Sequence, residues 1–391
     1  MGCGAQSFRG DRFGDKEYGS SGKWSFPAQS FPAMTSPRRV RRARAVLVTW
    51  RARKLVLLNY QTQVSVSADP EAVRFLHLLE GWTRLPDLYA LLPEYTPTSI
   101  RAAARELARN SLLVSEGTPP AKRDADLASV WSDWLPHAGF HFATKDFNYT
   151  QPPVSFFKRY LAESPQPAFL KSYDKVPRIQ LPRESGPDGE FERVLLARKT
   201  HRDFSRKHVP LKTIATLLHH TWGVTGRIDA PPFGRLFHKT SPSAGARHPG
   251  EVYMLAMRVG GLAQGLYHYD GLHHRLERIG SARAVKNVAV YAAGQEFVAD
   301  ASAVFFMTAV FPRVLWKYRF ARSYRVVLLD AGHLCQTFCL VATWLGLAPF
   351  CTAALKDTLI ERDLGLDGIH ESVLYLAAVG TFPAGKFRSN R

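Results

Sequence analysis

The stretch Ser-Pro-Ser-Ala-Gly-Ala-Arg-His-Pro occupies residues 241–249, and small side chains dominate it. Small residues let a backbone approach a flat ligand closely, and the exposed N–H groups of such a loop can bind carbonyl and ring-nitrogen acceptors. The same composition is also found in ordinary surface loops. Composition alone therefore leaves both interpretations open, and the flanking sequence has to separate them.

Three other segments carry side chains suited to binding or catalysis. The run Arg198–Phe204, Arg-Lys-Thr-His-Arg-Asp-Phe, places three cations and a hydroxyl within five residues, a set that can hold a phosphate. Lys317 beside Tyr318 can form an acid/base pair, and Lys386 and Arg388 can add phosphate-binding cations after the last predicted strand. Taken singly, each segment also fits a solvated surface, and the lysine-tyrosine pair also fits a helix N-terminus with a snorkelling lysine.

From residue 188 onward, amphipathic helices alternate with short apolar strands. Helices are predicted over a segment that ends at Arg198, near 282–293, and over Pro210–Trp222, Tyr318–Leu345 and Leu355–Leu364. Strands are predicted over Val252–Met257, Gly265–Tyr269, Arg275–Ile279, Ala301–Val310, Ala348–Ala354 and Glu371–Val379. The pattern predicts an α+β domain over residues 181–391 with a central, largely antiparallel sheet.

Taken together, the segments match one family in order and spacing. The motifs are R-K-T-x-R-x-F, S-P-S-A-G-A-R-H-P-x-E-x-Y, K-Y-x-x-x-R-x-Y-R and L-D-A-G-H-x-x-Q. Residues 190–388 resemble the nitroreductase superfamily, and more closely its SagB-type branch of FMN-dependent dehydrogenases, which oxidise azolines to thiazoles and oxazoles in ribosomal peptide maturation. The resemblance extends loosely over 40–180 and implies a nitroreductase-like FMN-binding fold.

The resemblance implies that the cofactor is FMN and assigns its phosphate end. Arg198, Thr200 and Arg202 fall where the family binds the FMN phosphate and ribityl chain, and Lys386 and Arg388 fall where it adds late phosphate cations. The first motif has Lys-Thr where Arg-Ser is more usual, which is a conservative departure.

The flavin ring is assigned to two loops. Ser243 and Gly245 lie in the loop that lines the flavin in the family, often from the other subunit of a homodimer. Thr352, Ala353 and Ala354 occupy the loop that approaches the ring, although the usual Gly-Gly is missing there.

The Lys317–Tyr318 pair coincides with the Lys-Tyr pair of the azoline-oxidising branch. Aromatising an azoline removes a proton from Cα and a hydride equivalent from the neighbouring carbon, so a base has to reach that proton. The resemblance implies that this pair is catalytic, that the substrate is a modified precursor peptide, and that cyclodehydratase subunits are partners. Generic NAD(P)H-dependent nitroreductase activity on small molecules, or a pseudoenzyme without flavin, would fit the same fold.

The N-terminal part divides into three segments. Residues 1–36 lack periodicity and predict a disordered tail, or an extension before a start at Met34. Residues 37–117 combine short strands with helices that start at Asp69-Pro70 and Thr96-Pro97, which predicts a winged-helix-like module for binding a peptide or a partner. Residues 118–180 are rich in proline and aromatic residues, which is typical of an ordered connector packed on its neighbours.

The chain is basic, with 52 Lys and Arg against 33 Asp and Glu and a net charge of +19. This balance favours an acidic partner. A DNA-binding regulator acting through Arg101, Arg105 and Arg109 of the helix predicted to start at Thr96-Pro97 is an alternative, but no nucleic-acid motif accompanies the charge.

Four cysteines exclude a secreted disulfide framework. Cys335 and Cys339 lie one helical turn apart with His333 nearby, but their apolar neighbours favour core thiols over a metal site. No run approaches the roughly 20 apolar residues of a membrane span, and there is no signal-peptide pattern. We therefore expect a cytoplasmic protein without a metal.

Overall fold

The computed structural model describes residues 39–51, 53–147, 154–163, 189–231 and 233–384. The predicted tail, the cap at residue 188, and Lys386 and Arg388 lie outside these residues. The N-terminal module consists of β1 (Val40–Arg42), β2 (Val46–Arg51), β3 (Lys54–Asn59), β4 (Val64–Ser67), α1 (Pro70–Leu78), a 3-10 turn (Leu85–Leu88), α2 (Pro97–Arg109) and β5 (Leu113–Ser115).

Both predicted helix starts in this module are confirmed. The Asp69 side chain accepts a hydrogen bond from the Glu71 N–H, and the Thr96 side chain accepts one from the Ser99 N–H. Strands β2, β3 and β4 form an antiparallel sheet, and β1 pairs with β5. The elements thus match the prediction, and the winged-helix assignment remains a prediction.

The connector contains helices that we did not predict. They are α3 (Pro119–Trp131), a 3-10 turn (Ser132–Trp134), α4 (Leu135–Ala143) and α5 (Val154–Glu163). Trp131 and Trp134 are fully buried and pack against Phe311 and Tyr324 of the C-terminal domain. Of the connector's aromatic residues, Trp131, Trp134 and Phe142 thus pack in the core, whereas Phe140 and Phe147 are exposed.

Two buried ion pairs tie this region to the elements on either side. Arg41 of β1 lies 2.7 Å from Asp124 of α3, and Lys145 Nζ lies 2.7 Å from Glu361 Oε1 of the C-terminal domain. All four side chains are almost fully buried. The first pair links the module to the connector, and the second links the connector to the C-terminal domain. Removing one partner of either pair would leave an uncompensated buried charge.

The C-terminal domain follows the predicted order of elements. Its helices are α6 (Glu190–Ala197), α7 (Leu211–Trp222), α8 (Val288–Tyr291), α9 (Phe311–Leu315), α10 (Tyr324–Trp344) and α11 (Asp357–Leu364). Its strands are β6 (Val209–Pro210), β7 (Gly226–Asp229), β8 (Arg235–His238), β9 (Gly250–Ala256), β10 (Val259–Gly260), β11 (Gly265–Asp270), β12 (Arg275–Gly280), β13 (Ala303–Val310), β14 (Ala348–Thr352) and β15 (Glu371–Gly380). Short 3-10 turns cover Ala244–Ala246, Ala282–Asn287, Glu296–Asp300 and Ala321–Ser323.

A six-stranded sheet with the order β12-β11-β9-β13-β15-β14 forms the centre of the domain, and every neighbouring pair is antiparallel. Phe305 and Met307 of β13 face one apolar layer, which includes residues of α7 and α10. Val304 and Phe306 face the other layer, which includes residues of α8 and α11. The predicted α+β fold with an antiparallel sheet is confirmed.

The helix predicted over Tyr318–Leu345 was too long, because it begins only at Tyr324. Phe320 adopts an extended backbone, with φ −151° and ψ 144°. The Ser323 hydroxyl lies within hydrogen-bond distance of the carbonyl oxygens of Tyr318 and Phe320 and can donate to either. This local bonding competes with helix continuation, so the lysine-tyrosine pair lies in a turn and not at a helix N-terminus.

Helix α10 has both a buried and an exposed apolar face. Val327, Leu334 and Phe338 are buried in the domain. By length and composition, Ala321–Trp344 is the one helix among the described residues that could cross a membrane, and 33% of its apolar window is buried. The buried face, which packs on the sheet, assigns this helix to the core of the domain.

Candidate active site

Two predicted site segments meet at Gly245, which adopts a left-handed backbone conformation with φ +59°. A Cβ atom at this position would lie 2.5 Å from the Tyr318 hydroxyl oxygen and 2.9 Å from Lys317 Nζ. The positive φ favours glycine here, and a Cβ atom would displace the ends of the Lys317 and Tyr318 side chains. The small-residue loop and the lysine-tyrosine pair, distant in sequence, therefore form one surface.

The loop is anchored by Asp330, a buried residue of α10. Ser243 Oγ donates to Asp330 Oδ2 at 2.6 Å and accepts a hydrogen bond from the His248 N–H at 2.9 Å. Burial raises the pKa of Asp330 from its usual range. The aspartate of the Leu-Asp-Ala-Gly-His motif thus fixes the loop, a role that its position in the sequence did not indicate.

Aromatic residues surround the lysine-tyrosine pair. Lys317 Nζ lies 4.3 Å from the centroid of the Phe233 ring, and the Arg247 guanidinium lies 4.7 Å from the Trp316 ring. Lys317 and Tyr318 are half-buried, whereas Phe233 and Trp316 are exposed. The pair therefore lies at the edge of an accessible apolar surface that can accept a flat or apolar ligand.

The predicted phosphate-binding loop lies beside β14 and the end of β15. The His201 N–H donates to the Pro349 carbonyl at 2.9 Å, and the Ser205 N–H donates to the Thr381 carbonyl at 3.0 Å. The His201 ring contacts the Phe382 ring. The loop around Arg198–Phe204, the β14 loop and the start of the C-terminal segment are thus neighbours, as their assignment to one cofactor requires.

The residues of this loop have the chemistry that a phosphate requires. Arg198 is half-buried, while Thr200 and Arg202 are exposed. Burial lowers the pKa of His201, and the neighbouring cations Lys199 and Arg198 lower it further. The loop therefore presents fixed positive charge and a hydroxyl, which fits the phosphate of a flavin mononucleotide.

The loop that lacks Gly-Gly is held by hydrogen bonds to its own threonine. Thr352 Oγ1 accepts from the Ala354 N–H at 3.0 Å and from Gln295 Nε2 at 3.2 Å. A threonine hydroxyl that bonds the backbone two residues further on stabilises a tight turn. The segment Thr352, Ala353 and Ala354 can thus form a compact turn of small residues without glycine.

The structure arranges the predicted residues in two groups along α10. Asp330 holds the loop with Ser243 and Gly245 in the first half of the helix, where it faces Lys317 and Tyr318. The second group is the phosphate-binding loop with Arg198, which lies near the C-terminal end of α10. There the positive charge of Arg198 acts on the thiols of Cys339 and Cys351. Asp330 and Cys339 are about 13 Å apart along the helix axis, given its rise per residue.

Comparisons with known proteins identify the family of this chain. The nitroreductase family model matches residues 195–381. The putative nitroreductase MJ1384 of Methanocaldococcus jannaschii is 32% identical over 191 residues, which cover 49% of this chain and 90% of that protein. This chain belongs to the nitroreductase family.

Other relatives of this nitroreductase-family chain have names that refer to peptide processing. The trifolitoxin-processing protein TfxB of Rhizobium leguminosarum bv. trifolii is 27% identical over 312 residues, covering 74% of this chain and 82% of that protein. The microcin B17-processing protein McbC of Escherichia coli is 25% identical over 194 residues, covering 45% and 68%. A chain of the E. coli microcin synthetase McbBCD complex with truncated pro-MccB17 bound aligns with a TM-score of 0.45 and 22% identity, covering 66% of this chain and 94% of that chain.

A hydrogen-bond chain supports the turn that carries Tyr318 in this nitroreductase-family protein. Trp134 Nε1 of the connector donates to Ser323 Oγ at 2.8 Å, and Ser323 Oγ lies 2.9 Å from the Tyr318 carbonyl oxygen, to which it can donate. Trp134 and Ser323 are both buried. Sequence reasoning missed these two positioning residues because they are far apart in the chain and carry no motif of their own.

We expect Trp134→Phe to lower the kcat of the reaction that uses Tyr318 by about 10-fold. The loss of one buried hydrogen bond loosens the turn that carries Tyr318, at a cost of roughly 1.4 kcal/mol. KM and FMN content should not change. Trp131→Phe is the matched control, because this equally buried indole donates instead to the Ile369 carbonyl at 3.0 Å. Steady-state kinetics that show the same loss of kcat in both variants would argue against a positioning role.

Proposed function

We propose that this nitroreductase-family chain is an FMN-dependent dehydrogenase that oxidises azoline rings of a modified precursor peptide to thiazoles or oxazoles. The contact of Lys317 and Tyr318 with the glycine of the small-residue loop carries this proposal, because it places an acid/base pair beside the surface assigned to the flavin ring. TfxB and McbC support it as proteins named for peptide processing.

The extent of the alignments also supports a peptide substrate. The TfxB alignment is longer than the family-model match at residues 195–381, so it includes residues outside that domain. The alignment with the putative nitroreductase MJ1384 is about as long as the domain itself. The part of the chain outside the domain is thus shared with a peptide-processing protein, which favours peptide maturation over small-molecule reduction.

We assign the cofactor to the two groups along α10. Arg198, Thr200 and Arg202 would hold the FMN phosphate and ribityl chain, and Lys386 and Arg388 would add positive charge there. Ser243 and Gly245, and the turn of Thr352, Ala353 and Ala354, would approach the ring. Bound FMN would supply the acceptor for the hydride equivalent that leaves the azoline.

The remaining chemistry belongs to the chain itself. Lys317 as a neutral amine, or Tyr318 as a phenolate, would take the proton from Cα of the azoline. The proton and the hydride equivalent leave together as two hydrogens, so the ring gains one double bond. The aromatic rim of Phe233 and Trp316 would exclude water and hold the five-membered ring against the flavin.

A homodimer would complete the site. Leu328, Leu329 and Trp344 of α10 are exposed by 42%, 60% and 44%, and Gly332 lies between them on the exposed face. The same face also exposes His333 and Gln336. Such a mixed face with several large apolar residues on a long helix fits the same helix of a second copy. In that arrangement the small-residue loop of one protomer would line the flavin held by the phosphate-binding loop of its partner.

Flavin reduction distinguishes the proposed activity from reduction of small molecules. We expect the absorbance of bound FMN to bleach when an azoline-containing peptide is added without air, and to return on exposure to oxygen. NADH or NADPH should react poorly. Rapid bleaching by a nicotinamide donor, with no reaction with the peptide, would instead support a generic nitroreductase.

The N-terminal module would capture the precursor peptide. Among the described residues β2 pairs only with β3, so its other edge can accept an extended peptide as an added strand. Trp50 on β2 is 70% exposed and lines a groove with Arg53 and Lys54. Asp69 also lines the groove, which leaves its two cations in excess of one carboxylate. The groove would attract an acidic leader segment, and cyclodehydratase subunits would deliver the same peptide.

We expect Trp50→Ala to raise KM for the peptide by about 10-fold while kcat and FMN content stay the same, because an exposed tryptophan in a groove is typical of a binding hot spot. Leu91→Ala serves as the control, since this exposed apolar residue of the same module does not line the groove. An unchanged KM for Trp50→Ala would assign peptide capture to another surface.

A further inference from the structure

Three cysteines come together at the C-terminal half of α10. Cys335 and Cys339 lie one turn apart on the helix, and Cys351 comes from the neighbouring strand β14. The three Sγ atoms all lie within 4.8 Å of one another. From the sequence we favoured core thiols over a metal site for Cys335 and Cys339, with His333 nearby. The structure adds a third thiol, and His333 is exposed and does not belong to this cluster.

The distances match those of a metal site. Thiolates that bind one ion at about 2.3 Å lie roughly 4 Å from each other in trigonal or tetrahedral geometry. Because the three Sγ atoms are already within 4.8 Å, small side-chain rotations are enough to reach these distances. The cluster includes no other histidine, cysteine or carboxylate among the described residues, so the chain offers three sulfur ligands.

We propose that Cys335, Cys339 and Cys351 form a three-thiolate site for a thiophilic d10 ion, Zn²⁺ or Cu⁺. Soft thiolate ligands select these ions. Three sulfurs complete a trigonal Cu⁺ site, whereas Zn²⁺ would take a water or another ligand from outside as its fourth partner. On binding, the thiols release their protons to solvent.

A cation and a hydroxyl lie close to the cluster. The positive charge of the Arg198 guanidinium acts on the thiols of Cys339 and Cys351. The Tyr375 hydroxyl donates to Cys351 Sγ at 3.8 Å. Such an outer partner is typical of metal-bound thiolates, and Arg198 would offset the negative charge that three thiolates leave on a divalent ion.

The site would fix the local geometry of the domain. Cys335 and Cys339 are buried, whereas Cys351 is half-buried and can admit an ion from solvent. An ion here would join α10 to β14 directly before Thr352, the first residue of the loop assigned to the flavin ring.

Metal titration of the full-length protein tests this site. Protein freed of metal under reducing conditions is titrated without air with Zn²⁺, with Cu⁺ and with Co²⁺ as a spectroscopic probe. We expect one ion per chain, thiolate-to-cobalt charge-transfer bands, and a higher Tm when the site is filled. Competition with chelators of known affinity gives the Kd of the site for Zn²⁺ and for Cu⁺, and metal analysis of the protein as isolated identifies the ion.

Four variants separate the cluster from other ligands. Cys351→Ser and the double variant Cys335→Ala with Cys339→Ala should lose stoichiometric binding, while Cys3→Ser, which removes the fourth cysteine, should keep it. Cys339→Ala alone should at least weaken binding 100-fold, and far-ultraviolet circular dichroism checks that each variant is folded. Wild-type protein that binds no ion, or a folded Cys351→Ser protein that binds as tightly as wild type, would overturn the proposal.

Discussion

Replacing Lys317 with alanine is expected to slow azoline oxidation by about 10²- to 10⁴-fold, the usual contribution of a positioned acid or base. The side chain lies where it can reach a substrate above the small-residue loop, since its Nζ is 2.9 Å from a Cβ position at Gly245. FMN content should stay near that of wild type, because the phosphate cations belong to another loop. Single-turnover oxidation of an azoline peptide measures the effect.

Tyr318→Phe separates the contribution of the Tyr318 phenol to catalysis from that of the Lys317 amine. If the phenol is the base, this variant should lose as much activity as Lys317→Ala, whereas a supporting role gives a smaller loss. Arg319→Ala is a suitable control, since it removes an exposed cation next to the pair. Full activity in both Lys317→Ala and Tyr318→Phe, with flavin bound, would exclude the pair from catalysis.

The double variant Arg198→Ala with Arg202→Ala is expected to weaken FMN binding by about 10²- to 10⁴-fold. Each hydrogen bond to a charged group contributes about 1.5–3 kcal/mol, and both guanidinium groups lie in the loop beside β14. Arg193→Ala, on the preceding helix α6, controls for the loss of exposed positive charge nearby.

Titration of the metal-free and flavin-free protein with FMN, followed by flavin fluorescence, measures this effect. Higher salt should weaken FMN binding to the wild-type protein more than FMN binding to the double variant. Salt screens the attraction between cations and the phosphate, and the variant has lost two of these cations. A Kd in the double variant equal to that of wild type would remove these two arginines from the cofactor site.

The central sheet could be predicted because its signals are local. The apolar run of β13 and the turn at Asp270-Gly271 belong to single segments. Capping residues likewise marked α1 and α2. The helices α3 and α4 were missed, because proline at their first turns and dense aromatic residues are also typical of a connector.

The residues that carry the chemistry of the candidate site could be predicted from the sequence, but the residues that position them could not. Lys317, Tyr318 and Gly245 carry motifs, so the sequence reveals them and the structure brings them together. Ser323 and Trp134 act through contacts between distant segments, for which no spacing in the sequence gives a signal. The third thiol of the cysteine cluster was missed for the same reason, because a strand pairing brings it to the helix.

We propose that this nitroreductase-family chain removes two hydrogens from an azoline ring. The most direct measurement is the mass of an azoline-bearing peptide after incubation in air with the FMN-loaded protein. We expect the mass to fall by that of two hydrogen atoms per ring, and to stay constant with Lys317→Ala. An unchanged peptide mass with wild-type, flavin-loaded protein that rapidly oxidises NADPH would show that the chain does not oxidise azolines and instead acts as a reductase.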